Sequence, residues 1–247
     1  MSKFQWHDIE QRSPEWFALR LGIPTASNFH KIVTPKTLKP SEQRFKYRNQ
    51  LLAEWITGIP QEDFQSKSME AGIENEDRAR AAYEMMCDGE TTKPGFFTAY
   101  DGMAGASPDA LLGTDTDIEI KCRELHTQIG WAMLSDDSER QEHRIQCQGR
   151  LMIEERDWSH LWNFNERIVI PVLKFPRDEK VIGAIDAALR QFIDELLAAR
   201  KLLESRYGPF TRPTSEEPDH SKDFISHEDA ELIIENMRRE NASEDHA

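Results

Sequence analysis

The 247-residue sequence predicts an α/β fold, a central mixed β-sheet flanked by α-helices. Three observations carry that expectation. Residues 106–121 read as a β-hairpin, because Gly113 and polar turn residues separate two short runs, Ala110-Leu-Leu112 and Ile118-Glu-Ile120. Residues 158–165 and 168–175, rich in aromatic and β-branched side chains, read as two further strands of a hairpin. Between and around these lie long stretches with helical periodicity.

In chain order, Ser13 is placed to cap a short helix, with Pro14 at its first position and Gly22 at its stop. A second short helix then starts at Thr25 or Ser27. Small hydroxyl residues at a helix start, facing Arg20 from the preceding helix, suit an anion, since free N–H groups and the helix dipole favour negative charge there. The alternative is an ordinary capped helix pair with Arg20 in solvent.

Pro35 to Pro40 is a basic, turn-rich loop. Ser41 to Thr57 is helical, with Phe45, Leu51, Leu52, Trp55 and Ile56 as its apolar stripe and Gly58-Ile59-Pro60 ending it. A further helix runs from Ser66 or Ser68 to Met86, with Glu70, Glu74 and Glu76 near its start and Ala71, Ala79, Ala82, Tyr83 and Met86 as its packing face. Most of those carboxylates belong in solvent, leaving one free to face a site.

Residues 95–112 have a strand and turn texture, and His126–Leu134 and Ser138–Glu154 are helical. In the second of these, Ile145, Gly149, Leu151, Met152 and Ile153 can pack while Gln146 faces the site or solvent. Asp178–Tyr207 is a long amphipathic helix with Val181, Ile185, Leu189, Phe192, Leu196 and Leu203 on one face. The composition changes after Gly208-Pro209, so residues 1–209 are expected to form one domain and 210–247 an acidic tail. Within it Phe224–Met237 carries one helical pattern; the tail is disordered, docks, or recruits a partner.

Without an 18-residue apolar run or a basic-then-apolar start, a soluble, cytoplasmic protein is expected. Cys87, Cys122 and Cys147 lack metal-ligand spacing and are expected as reduced, mostly buried thiols. The net charge of -14 is unevenly spread: eleven acidic and four basic residues after Pro209 supply half of it. An acidic exterior with a local basic channel is therefore compatible with a nucleic-acid partner.

The chemistry resides in the hairpin. Alternate strand residues share a face, so Glu119 and Lys121 point one way and Ile118 and Ile120 the other, while Asp109 opens the partner strand. Two carboxylates converging at one end suit a hard divalent cation such as Mg²⁺. A lysine beside them can orient or deprotonate a metal-bound water, or offset charge on a scissile phosphate. Ser107-Pro-Asp109 followed by Glu119-Ile-Lys121 matches the PD-(D/E)xK pattern of restriction-endonuclease-like, metal-dependent nucleases, and the chemistry it implies is phosphodiester hydrolysis.

Further pieces occur in a fixed order: Trp16-Phe-Ala-Leu-Arg20-Leu-Gly-Ile-Pro-Thr25-Ala-Ser27, Gly72 to Arg80, the two halves of the hairpin motif, and Gln146-Cys-Gln148. In them the sequence resembles the lambda exonuclease or YqaJ-type viral recombinase family, from about residue 12 to about residue 205. The resemblance implies a 5′-to-3′ exonuclease of phage or prophage origin, acting on linear duplex DNA in a bacterial cell. It would release 5′-mononucleotides and leave 3′ single strands for an annealing protein.

By matching position, Asp109, Glu119 and the carbonyl of Ile120 would hold Mg²⁺, with Mn²⁺ as a substitute, and Lys121 would act on the attacking water. Glu76 would be the helical acid near the metal and Gln146 the site glutamine. Arg20, Thr25, Ser27 and Ser107 would hold the 5′-terminal phosphate; Lys36 and Lys67 would contact DNA, and Met69 would wedge the terminal base pair. The family implies a ring of three subunits around DNA. The motif alone also fits a structure- or sequence-specific endonuclease, and a non-catalytic DNA-binding scaffold on the same fold is the rival from another class.

Overall fold

The computed structural model describes residues 4–61, 67–87, 89–134 and 136–210, with side chains for all of these except 67–74 and 136–142. Along the chain run β1 (Gln5–His7), α1 (Pro14–Arg20), a 3-10 segment (Ala26–Lys31), α2 (Arg44–Thr57) and α3 (Lys67–Cys87). Next come β2 (Thr91–Thr92), β3 (Phe96–Ala99), β4 (Ala104–Ala106), β5 (Ala110–Leu112) and β6 (Thr116–Cys122). The last are α4 (Leu125–Ala132), α5 (Asp136–Glu154), β7 (Trp158–Phe164), β8 (Leu173–Pro176) and α6 (Glu179–Tyr207). The chain divides into two units, Met1–Thr211 and Arg212–Ala247; the second, with the expected Phe224–Met237 helix, lies outside the described residues.

Five strands form a mixed sheet in the order β2-β5-β6-β7-β8. β6 and β7 are parallel and the other neighbours antiparallel. A parallel pair needs a crossover, which α4 and α5 supply. β1, β3 and β4 form a separate antiparallel sheet. Helices cover both faces of the mixed sheet. Ala79 and Tyr83 of α3 pack on Ala110, Ile118, Ile120 and Trp162, while Cys147 of α5 packs on Leu161, Leu173 and Phe175. β6 is therefore buried without interruption from Thr116 to Ile120, where a half-exposed strand would alternate.

The local expectations largely hold. Ser13 Oγ accepts from the Trp16 amide at 3.2 Å at the start of α1, and Asp178 accepts from the amides of Lys180 and Val181 at the start of α6. Gly58 ends α2 in the left-handed conformation, φ 72°, which costs a glycine nothing. The hairpin pairs Ala110 with Ile118.

Four details differ. The strand expected over 168–175 forms only at its end, as Leu173–Pro176. The second short helix is a single 3-10 run. Phe45 is 42% exposed and lies beneath the Arg44 guanidinium, while the buried ring of α2 is Tyr47, stacked on Phe192 with centroids 5.7 Å apart. The reason is that α2 turns Tyr47, Leu51 and the buried Glu54 inward, Glu54 being satisfied by the amides of Gly22 and Gln61, each at 3.0 Å. Met86, expected in the packing face of its helix, is exposed.

One close approach ties α5 to the 3-10 segment. A Cβ at Gly149 would lie 2.5 Å from Cδ2 of Phe29, whose ring is buried in the main core and cannot swing away. Gly149→Ala should therefore destabilise the fold by about 1–3 kcal/mol. Denaturant unfolding of the two proteins measures this, and equal stability would show that the helix moves off the ring freely.

Candidate active site

The site forms where β5 enters β6. Gln11 Nε2 donates to the Pro108 carbonyl at 2.8 Å and fixes the turn before Asp109. Asp109 then binds β6 twice: its amide donates to the Ile118 carbonyl at 3.0 Å, and its Oδ2 accepts from the Ile120 amide at 2.6 Å. Glu119 projects from the α5-facing side of β6 and Lys121 follows on the same side. Lys121 Nζ lies 2.5 Å from Glu119 Oε1, which also accepts from Gln146 Nε2 at 2.8 Å. Arg150 of α5 contacts Glu119 Oε2.

Electrostatics separate the two carboxylates. Burial, reinforced by the negative charge of Glu119 and more weakly by Glu76, pushes Asp109 up to about 8. Burial would raise Glu119 as well, but Lys121 and Arg150 outweigh it and bring Glu119 down to about 2. Glu119 and Asp109 likewise hold Lys121 above the usual ammonium range, against the effect of its burial.

A cavity of about 420 Å³ adjoins this cluster, and Lys121 is in its wall. Arg20, Thr25 and Ser27 line it, together with Lys31 and Asn28, which the sequence reading missed. The Arg20 guanidinium lies 4.1 Å from the centroid of the Trp16 ring, an arrangement that restricts a flexible side chain. Ser107 is not in the wall. Its hydroxyl accepts from Trp16 Nε1 and donates to the Gly95 carbonyl, both at 3.1 Å, so it reaches Arg20 only through Trp16.

Glu76 acts on Asp109 through space while its Oε2 accepts from Arg12 at 2.5 Å. Lys36 is exposed in the turn between Thr34 and Lys39 and lines neither of the two main cavities. The side chains of Lys67 and Met69 lie outside those described. A second cavity, about 380 Å³, opens on the other side of the end of β6, with Arg78, Cys122, Arg123 and Arg167 in its wall.

Among the described residues, no three carboxylate, imidazole or thiol groups converge to hold a metal by themselves. The donor chemistry nevertheless fits a hard cation. The buried carboxylate of Glu119, the half-buried one of Asp109 and the peptide of Ile120 come together, and the raised Asp109 marks a place short of positive charge, of which Lys121 already supplies part.

The family model of the YqaJ-like viral recombinase domain matches residues 15–157, a span that contains Arg20, Glu76, Asp109, Glu119, Lys121, Gln146 and Arg150. The chain belongs to that family. An alkaline exonuclease (LHK-Exo) from Laribacter hongkongensis is similar to this YqaJ-type chain at 27% identity, with a TM-score of 0.68 over 78% of this chain and 97% of its own. Its complex with dAMP superposes with the same figures. A phage related exonuclease from Haemophilus somnus 129PT, 15% identical, shares the fold at a TM-score of 0.55 over 72% of this chain and 96% of its own. No curated protein matches the chain.

Asp109 gives a pH test of this electrostatic arrangement. Its folded-state value lies above that of an unfolded aspartate, so the fold binds a proton that the unfolded chain releases. Stability from this group is then lost as pH rises from about 4 to about 8. In metal-free solution Asp109→Asn should lose less stability than wild type between pH 5 and pH 8. Denaturation at the two pH values measures it, and an unchanged slope would remove Asp109 as the strained group.

Proposed function

We propose that this DNA exonuclease digests one strand of linear duplex DNA from its end, 5′ to 3′ and with Mg²⁺, releasing 5′-mononucleotides. The observation that carries the reading is the double position of Lys121. It is in the wall of the cavity that holds Arg20, Thr25 and Ser27, and its ammonium touches Glu119. A pocket built to hold a terminal phosphate thus adjoins the carboxylates of the hydrolytic centre, as an end-recognising enzyme requires.

Asp109, Glu119 and the carbonyl of Ile120 would hold the cation, which when bound polarises the scissile phosphate and lowers the pKa of its water. The protein's own groups do the rest. Arg20 makes charge-assisted bonds to the terminal phosphate, and the hydroxyls of Thr25 and Ser27 add further donors. Lys121 orients the attacking water, Gln146 fixes Glu119, and Glu76 adds negative charge behind Asp109. Ser107 contributes by holding Trp16 beneath Arg20. Lys36 and Lys67 contact the duplex backbone, and Met69 wedges the terminal base pair.

Residues 1–209 contain every motif and carry the activity, with 210–247 as an acidic tail. The working form is a ring of three copies around DNA that passes its 3′ single strand to an annealing protein. Leu125 and Ile129 of α4 and the 82% exposed Met133 that caps its C-terminus form an exposed apolar stripe suited to contact between copies. The enzyme works in the cytoplasm of a bacterial host.

Linear duplex with a 5′-phosphate should be digested much faster than the same duplex with a 5′-hydroxyl, and closed circular duplex should stay intact. Arg20→Ala should erase most of the preference and Arg20→Lys restore part of it, because an ammonium lacks the planar fork. Gel assays of the three substrates decide. Equal rates on both ends, or nicked circles, would replace end recognition with an endonuclease reading.

A further inference from the structure

On the inner face of α5, Gln146 and Arg150 sit one turn apart. Opposite them, Asp117, Glu119 and Lys121 alternate along one face of β6. Four residues of helix rise about 6 Å and two residues of strand nearly 7 Å, so the two rows stay in step for one turn. Within that turn the helix takes both oxygens of Glu119: Gln146 donates to Oε1 at 2.8 Å and Arg150 NH1 contacts Oε2.

Arg150 is itself immobilised. Its NH2 donates to Asp117 Oδ1 at 2.8 Å and to Ser159 Oγ at 2.7 Å, and its Nε donates to Asp117 Oδ2 at 3.3 Å. Ser159 Oγ in turn donates to Asp117 Oδ1 at 2.6 Å. Arg150 is 1% exposed and Asp117 wholly buried. Stability alone does not call for such a group, because apolar residues often replace a buried ion pair without loss. Direction is what the arrangement supplies. With one edge of its planar fork clamped by Asp117, the guanidinium can point NH1 only at Glu119. Asp117 also balances its charge, so Arg150 orients Glu119 without adding net positive charge to the site.

We infer that Arg150, locked by Asp117 and Ser159, is a positioning residue that holds Glu119 Oε2 from the buried side and turns Oε1 toward Lys121 and the divalent cation. Gln146 is the second point of the same grip. The inference rests on the proposed role of Glu119 as a metal ligand, and groups that orient ligands in this way typically change metal affinity or activity about 10- to 100-fold when removed.

The test is Mn²⁺ binding to the full chain without DNA, read from the electron paramagnetic resonance of free Mn²⁺, beside steady-state digestion of 5′-phosphorylated duplex. The double variant Asp117→Asn/Arg150→Met removes one charge of each sign. It should melt near wild type yet bind Mn²⁺ about 10-fold more weakly or worse, with kcat reduced and KM for DNA ends little changed. Arg150→Lys and Ser159→Ala, milder changes that keep the fold if the double variant does not, should each weaken Mn²⁺ binding several-fold. Wild-type Mn²⁺ affinity in the folded double variant, or in both milder variants, would overturn the proposal. A wild-type chain that neither binds Mn²⁺ nor digests duplex overturns the metal reading itself, and this inference with it.

Discussion

A carboxylate kept charged out of water makes demands on everything around it. Glu119 sits on the central strand of a sheet covered on both faces, so water cannot supply its counter-charges and hydrogen bonds, and the protein must. β6 provides Lys121 from two residues along, and α5 provides Gln146 and Arg150 from one helical turn. The added arginine needs its own partner, which is Asp117, and Asp117 needs the hydroxyl of Ser159 from the parallel neighbour strand. The long crossover that brings β7 parallel to β6 delivers both α5 and Ser159. Topology and charge balance here are one requirement.

Asp109 lies under the same constraint with the opposite result. Among the described residues, no cation contacts it as closely as Lys121 and Arg150 contact Glu119, and it carries the cost of burial beside a like charge. The stabilised carboxylate is gripped by the scaffold and the strained one faces it across the hairpin. An arrangement that spends stability in this manner is typical of a functional site rather than of packing.

Much of this was legible in the chain. The hairpin, the faces of its second strand and the helix boundaries follow from short-range patterns: Pro after a capping serine, Gly at a helix stop, isoleucines on alternate positions. Arg20, Thr25 and Ser27 fall within a dozen residues of one another, and their meeting at one cavity is a local event. Arg150 and Asp117 gave no such signal. An arginine four residues after a glutamine reads as helix surface, and Asp117 in Thr-Asp-Thr-Asp reads as turn. Their burial depends on α5 meeting β6, a contact between residues more than thirty positions apart. Lys31 was missed and Phe45 misjudged for a related reason. Periodicity gives the width of a helix face but leaves its rotation about the axis to tertiary packing.

The bare flank of α5 at Gly149 has a metrical meaning. Phe29, in the segment that carries Ser27 to the cavity wall, rests on that glycine, and the helix turns holding Gln146 and Arg150 flank it on either side. The thickness of one phenyl ring against one naked peptide thus sets the spacing between the cavity wall at Ser27 and the helix that grips Glu119. A dimension of the site is in this way written in the hydrophobic core, by two residues that belong to neither of its parts.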